Sequence, residues 1–362
     1  MNTPKEGIDL LVVDDSALMR KLLGRIFAAE PDFSVRYARN GLEALAEIRR
    51  EKPDVVTLDI HMPDMDGLTC LDRIMVEHPC PVVMFSAMTA EGAEYTLKAL
   101  QRGAVDFVAK PVRAVSLEID ALSAQLVSKV RAASAARLRF SLRLKERVRH
   151  RIGGEFLTRA PKIEPPSATG NGLVLVGAST GGPPALEALL TPLPADFPWP
   201  IVVVQHMPES FTGPLARRLN LLCALTVAEV ATASLLRPGC VYIARGDADI
   251  LILSRAEGLF AVSVAADRDY PWHPSADRLV RSAMREVAAS QLIGVLMTGM
   301  GDDGAQAMAS LHQAGGKTIA EAEETAVVWG MPGELVKAGG ADWVLPLPAI
   351  AARLQKLTPA HM

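Results

Sequence analysis

From Asp9 to about Ala121, short aliphatic and β-branched runs alternate with segments whose apolar residues recur every three or four positions. The runs at 10–13, 34–38, 55–58, 81–85 and 105–108 predict strands, and the segments at 17–29, 42–50, 68–76 and 93–100 predict helices. Strands apolar almost throughout, with a helix between each pair, predict a doubly wound parallel sheet. Beyond Gly172 the alternation resumes. Strands are expected at 173–176, 201–204, 240–244 and 293–297, with helices at 183–190, 211–221, 276–288 and 305–314. Pro183, just inside a helix start, suits its fixed φ and missing donor. A second α/β domain follows from the same pattern.

The two halves are separated by a change in character. From Lys129 to Lys162 the chain is strongly basic, opposed only by Glu146 and Glu155, and it ends in the Pro/Gly/Ser-rich APKIEPPSATGNG. This reads as a solvated helical linker, or as a basic contact for an acidic partner or phosphate. The expected organisation is a first domain over 1–125, a linker over 126–168 and a second domain over 169–362.

Composition narrows the setting. With 49% hydrophobic and 22% charged residues, the 362-residue chain is ordinary for a globular protein and long enough for two cores. A formal charge of −3 gives no global attraction to nucleic acid or anionic lipid. Cys70, Cys80, Cys223 and Cys240 lack metal-ligand spacing and read as free thiols of a reducing compartment. The N-terminus has no basic n-region, and no apolar run approaches the roughly 20 residues needed to span a bilayer, so a cytoplasmic location is expected.

Ligands of parallel sheets sit at the carboxyl ends of the strands. Asp14 and Asp15 end the first expected strand, Asp59 the third and Ser86 the fourth, and Lys110 follows the fifth. Any one aspartate there could simply cap the next helix. Together, clustered carboxylates suit Mg²⁺, and a hydroxyl and an ammonium beside them suit phosphoryl oxygens. The segments VVDDS, TLDIHMPDMDG, MFSAMT and DFVAKP resemble the response-regulator receiver family over about residues 8–121. The resemblance implies a flavodoxin-like domain in which Asp59 accepts a phosphoryl group and Asp15, supported by Asp14, holds Mg²⁺. Ser86 and Lys110 would contact the phosphoryl group, Phe107 would be the aromatic switch, and the Lys110–Pro111 bond would be open to a cis form. His61 stands where relatives commonly carry an acid; because that position usually offers only its carbonyl to the metal, little loss is expected.

In the second half, Ser179 lies in GASTG, a match to the G-x-S-x-G turn that exposes a nucleophilic hydroxyl. Alone, the turn equally suits a nucleotide phosphate, although the spacing is not GxGxxG. Gln205-His206 ends the next expected strand, and GMGDDG follows the run LIGVLM. A Ser, a His and an Asp at strand ends of one sheet are the parts of an acyl-transfer site, in an order unlike the common α/β-hydrolases. Spacing does not choose between Asp302 and Asp303.

The ordered set of receiver, linker, VGASTGG, QHMP, FTGPLARRLN and MTGMGDDG resembles the chemotaxis protein-glutamate methylesterase family, CheB, over nearly the whole chain. The resemblance implies Ser179 as nucleophile, His206 as general base and then acid, Asp303 as its orienter, Thr180 as an assisting residue and the Met300 N–H as an oxyanion donor. It implies hydrolysis of glutamyl methyl esters on methyl-accepting chemoreceptors, deamidation of receptor glutamines, and phosphorylation by a CheA-type histidine kinase. No cofactor is expected for the esterase step and no nucleic acid as a partner. Relatives commonly show HRPS where this chain has Trp272-His273-Pro274-Ser275, a departure that bears on the substrate-groove contacts and leaves the match to the triad motifs as it stands. The competing readings are a DNA-binding or scaffolding output, supported by the basic linker, and nucleotide binding through GASTGG.

Overall fold

A computed structural model describes residues 7–86, 89–110, 116–136 and 172–358. The chain divides into two units, Met1–Phe156 and Leu157–Met362. In the first, β1 (Ile8–Val13), β2 (Phe33–Ala38), β3 (Val55–Asp59), β4 (Val82–Ser86) and β5 (Asp106–Ala109) form a sheet in the order β2-β1-β3-β4-β5. Every pairing is parallel. β3 and β4 are buried at every position, as strands covered on both faces must be, while the edge strand β2 is mostly not.

Helices α1 (Ala17–Ala28), α2 (Gly41–Arg50), α3 (Gly67–Glu77) and α4 (Ala90–Gln101) start where the sequence supplies a cap. Ser16, Asn40, Asp66 and Thr89 each accept a backbone N–H of the first turn. α4 begins three residues before the expected start because Thr89, not an apolar residue, opens it.

α5 (Ser116–Ser134) runs past residue 125 and packs against β5. Lys129, read from the sequence as part of a solvated basic run, is buried: its Nζ donates to Asp106 Oδ1 at 3.0 Å and to the Phe107 carbonyl at 2.9 Å. The ammonium also lies 4.9 Å from the centroid of the Phe107 ring. Arg131 pairs with Glu30 and Asp32. The start of this basic run is helical, as its composition predicts, and its Lys129 and Arg131 side chains find carboxylate partners within the first unit. Arg137 to Lys162 and Pro111 lie outside the described residues.

Lys129→Met is expected to destabilise the first unit by about 3 kcal/mol, because the cation is lost from a carboxylate that stays buried. Arg131→Ala is expected to cost little, since solvent screens that pair. Urea unfolding of the full chain followed by hydrogen exchange in β5 separates the two.

In the second unit, β6 (Leu173–Ala178), β7 (Ile201–Gln205), β8 (Thr226–Val230), β10 (Cys240–Ala244), β13 (Leu292–Leu296), β14 (Lys317–Glu321) and β15 (Trp343–Leu345) form one sheet. Its order is β15-β14-β13-β6-β7-β10-β8, all parallel. A separate antiparallel sheet, β11-β12-β9, comprises β9 (Ala233–Leu235), β11 (Ala248–Arg255) and β12 (Gly258–Ala265). Helices α6 (Gly182–Leu190), α7 (Glu209–Leu222), α8 (Ala276–Glu286), α9 (Ala305–Gln313), α10 (Met331–Lys337) and α11 (Leu347–Leu357) complete the unit. The four expected strands are present. β8, β14, β15 and the antiparallel sheet were not expected: β8, β9 and β15 are short and only partly buried, and in β11 and β12 apolar runs lie on strands that are partly exposed. Among the described residues no helix is long and apolar enough to cross a membrane, and all four cysteines are free and buried.

Candidate active site

Each of the two parallel sheets reverses its strand order beside its first strand, and at such a point the loops diverge and leave a crevice. In the first unit the reversal lies between β1 and β3. Asp14, Asp15 and Asp59 meet there, with ligand oxygens all within 4.8 Å of one another. Lys110, just after β5, reaches across with its Nζ 2.8 Å from Asp59 Oδ2 and 3.0 Å from Asp14 Oδ2. Arg20 donates to the carbonyls of Asp14 and Asp15 and fixes the loop. Burial pushes the Asp59 carboxyl above the usual carboxylate range, and the Lys110 ammonium only partly offsets it. Burial likewise disfavours charge on Lys110, but the bonds to Asp59 and Asp14 outweigh it and hold the ammonium above its ordinary value.

This oxygen-only set of three carboxylates fits Mg²⁺ by donor chemistry. Ser86 is buried at the end of β4, and its Oγ donates to the Gly92 carbonyl in the first turn of α4. Phe107 is buried in β5. His61 lies outside the carboxylate cluster, edge-on to Tyr95 at 5.5 Å.

In the second unit the reversal lies between β6 and β13. Ser179 follows β6, His206 follows β7 and Asp303 lies in the loop after β13. The β6–β7 register pairs Ala178 with Gln205, which makes Ser179 and His206 neighbours at the sheet edge. Ser179 opens a tight turn: Gly182 N donates to its carbonyl at 2.8 Å, and Gly181 takes φ +77°, a left-handed conformation that favours glycine. The N-terminus of α6 therefore points at the serine. Gly299 on the other side allows close approach, since a Cβ there would come 2.8 Å from the Ser179 Cβ.

His206 Nε2 lies 2.8 Å from Asp303 Oδ2, and both residues are buried. That bond assigns the N–H to Nε2 and leaves Nδ1 as the basic nitrogen. Nδ1 is buried and has no hydrogen-bond partner, so the Ser179–His206 bond is not made in this state. Catalytic bonds of this kind often tighten only with substrate bound.

Asp303 is heavily supported. Besides His206, it accepts from Ser275 Oγ at 2.9 Å, Ala276 N at 2.6 Å and Asp277 N at 3.0 Å. It thus closes the N-terminus of α8, while Asp277 accepts Ala307 N in the first turn of α9. Burial raises the Asp303 carboxyl, but the His206 bond and the backbone N–H groups outweigh it and hold the group below the usual range. Asp302 is exposed. The geometry separates the two aspartates that spacing left equivalent.

Several further residues support these groups. Trp272 stacks on the His206 ring with centroids 5.2 Å apart and planes 4° from parallel. Asp249 binds Ser275 N and His273 Nδ1, anchoring the segment that bears Trp272. Of the two positions that depart from HRPS, Trp272 therefore lies against the histidine and His273 binds Asp249, while Ser275, which keeps the serine of HRPS, donates to Asp303. Gln205 Nε2 donates to the Ser179 carbonyl. Thr298 accepts Ser179 N on its carbonyl and donates from Oγ1 to the Thr180 carbonyl. Glu321, wholly buried at the end of β14, accepts Thr298 N at 2.8 Å. Burial pushes its carboxyl up despite that bond. The roles of Asp249, Thr298 and Glu321 are found only by proximity; in sequence they are unremarkable polar positions. Met300 follows the same loop, between Gly299 and Gly301.

Comparison with known proteins agrees with this architecture. Residues 174–354 match the CheB methylesterase family, and residues 10–120 match the response regulator receiver domain. A protein-glutamate methylesterase/protein-glutamine glutaminase of Rhodopseudomonas palustris is 55% identical, over 95% of this chain and 96% of that protein. One of Rhodospirillum rubrum is 52% identical, with 95% of each chain covered. The crystal structure of the Thermotoga maritima CheB methylesterase catalytic domain is 39% identical and matches with TM-score 0.50, covering 52% of this chain and 100% of that one. The chain belongs to the CheB methylesterase family, and is a protein-glutamate methylesterase/protein-glutamine glutaminase that carries its own receiver domain.

Proposed function

We propose that this chain hydrolyses glutamyl methyl esters, and deamidates glutamines, on methyl-accepting chemoreceptors through Ser179, His206 and Asp303, under control of phosphorylation at Asp59. The observation that carries the chemistry is the buried 2.8 Å His206–Asp303 pair beside Ser179 at the reversal point of the sheet. Ser179 Oγ attacks the acyl carbon as its proton passes to His206 Nδ1. Asp303, held anionic by its four hydrogen bonds, keeps the N–H on Nε2 and stabilises the imidazolium. The proton then goes to the departing oxygen, releasing methanol, or to the departing nitrogen of a glutamine, releasing ammonia. Water, deprotonated by the same nitrogen, cleaves the acyl-enzyme and leaves a glutamate. The oxyanion faces the N-terminus of α6 and the Met300 N–H, with Thr180 lining the turn.

In the receiver, Asp14, Asp15 and Asp59 would hold Mg²⁺, which when bound offsets charge on the incoming phosphoryl group. Ser86 and Lys110 would take the phosphoryl oxygens, Ser86 by giving up its bond to Gly92, and the buried Phe107 would respond as the switch. A CheA-type histidine kinase is the donor that fits this chemistry. Complete conversion of a two-state equilibrium from 99:1 to 1:99 takes about 5.5 kcal/mol, more than one phosphoryl group is expected to supply, so partial activation is the expected outcome.

The test is methanol and ammonia release from methylated and amidated chemoreceptor membranes, with and without a small phosphodonor and Mg²⁺. The donor should raise release on the order of tenfold. Asp59→Asn should remove that increment, and an increment of wild-type size in this variant would reject phosphorylation at Asp59.

A further inference from the structure

We propose that Trp272 is a positioning residue for His206: its indole face fixes the plane of the imidazole and stabilises the positive charge the ring carries while it holds the serine's proton. The proposal rests on the reading of Ser179, His206 and Asp303 as the reacting groups. Three observations carry it. The two rings are stacked, 5.2 Å apart and 4° from parallel, a geometry in which an imidazolium lies over the electron-rich face of the indole. The edges of the imidazole have other duties: Nε2 is bound to Asp303, and Nδ1 is sealed from solvent without a partner. With both nitrogens so engaged, a neighbour can act on the ring through its face, and Trp272 covers one.

The indole is also held in place. The residues after it are pinned by Asp249 through His273 Nδ1 at 3.2 Å and Ser275 N at 2.9 Å, and Arg278 pairs with the same carboxylate. Ser275 in turn donates to Asp303 Oδ1. A single short segment therefore sets the histidine's face and the aspartate's second oxygen together. The indole also lies over Gly301, whose hypothetical Cβ would be 3.5 Å from its Cζ2 and Nε1. Gly301 has φ +82°, so a side chain there would strain the backbone as well as approach the ring.

The proton balance defines what the stack can affect. Ser179 loses its proton to Nδ1 as the oxygen–carbon bond forms, the ring is cationic until the leaving group takes that proton, and the same cycle repeats with water. Charge on His206 exists only between the ground states, so a residue acting through it should change kcat and leave KM alone. A side chain that instead touched the receptor helix would change KM.

The experiment uses the full chain and methylated chemoreceptor membranes, with Trp272→Leu and Trp272→Phe, and Ser179→Ala as control. Trp272→Leu keeps an apolar cover without a π face and should lower kcat about tenfold, with KM within about twofold. Trp272→Phe restores a face and should keep at least about half of wild-type kcat. A raised KM at unchanged kcat, wild-type kinetics in the Leu variant, or equal losses in Leu and Phe would each overturn the proposal. Activity persisting in Ser179→Ala would reject the site reading itself, a different result from any of these.

Discussion

Ser179→Ala should lower methanol release by about ten-thousandfold or more while leaving the fold and Asp59 labelling intact. The size follows from what the hydroxyl does: without it no acyl-enzyme forms, and His206 and Asp303 have no proton to move. The stability cost should be small, since no hydrogen bond ties Ser179 Oγ to His206 Nδ1 and the turn is held by main-chain bonds from Ser179 N to Thr298 O and from Gly182 N to Ser179 O. Methanol release by gas chromatography, with urea unfolding as the stability control, gives both numbers. A residual rate within tenfold of wild type would remove Ser179 as the nucleophile. Gln205→Ala, which removes one of the two hydrogen bonds to the Ser179 carbonyl and leaves that from Gly182 N, should give a smaller loss.

The second large effect separates two adjacent residues. Asp303→Asn should cost roughly a thousandfold or more in kcat, whereas Asp302→Asn should stay within about twofold of wild type. An amide at 303 can turn its NH₂ toward His206 and so force the wrong tautomer, with the proton on Nδ1 where the serine's should go. It also removes the negative charge at the N-terminus of α8, where Ala276 N and Asp277 N converge on the carboxylate. Asp302 is exposed, and its side chain forms none of these bonds. Equal losses at 302 and 303 would show that the loop as a whole, not the orienting carboxylate, matters. A pH dependence follows from the same group. Its folded-state value lies below the unfolded one, so Asp303 stabilises the unit fully above about pH 4 and that contribution is lost as pH falls further. Asp303→Asn should flatten the acid side of the stability curve.

The receiver site was almost wholly legible in the sequence. Asp14, Asp15, Asp59, Ser86 and Lys110 each sit at the end of a strand, and parallel topology alone carries strand ends to one edge. The same logic placed Ser179 and His206, which follow adjacent strands in register. The split between Asp302 and Asp303 was not legible, because which of two neighbours turns inward depends on the helix end it can satisfy.

Sequence by itself determined the elements that obey a local rule: two parallel sheets, most helix starts and the strand-end positions of the chemistry. It did so because apolar periodicity and capping are properties of a few consecutive residues. Only the tertiary structure decided that Lys129 is a buried partner of Asp106, that Glu321 supports the Thr298 hub, and that Trp272 and Ser275 bear on His206 and Asp303. Each of these contacts joins residues more than 20 positions apart, and its sign is set by what burial leaves unpaired. A lysine in a basic run, a glutamate after a strand and a tryptophan before a proline acquire their roles only once the chain has closed around them.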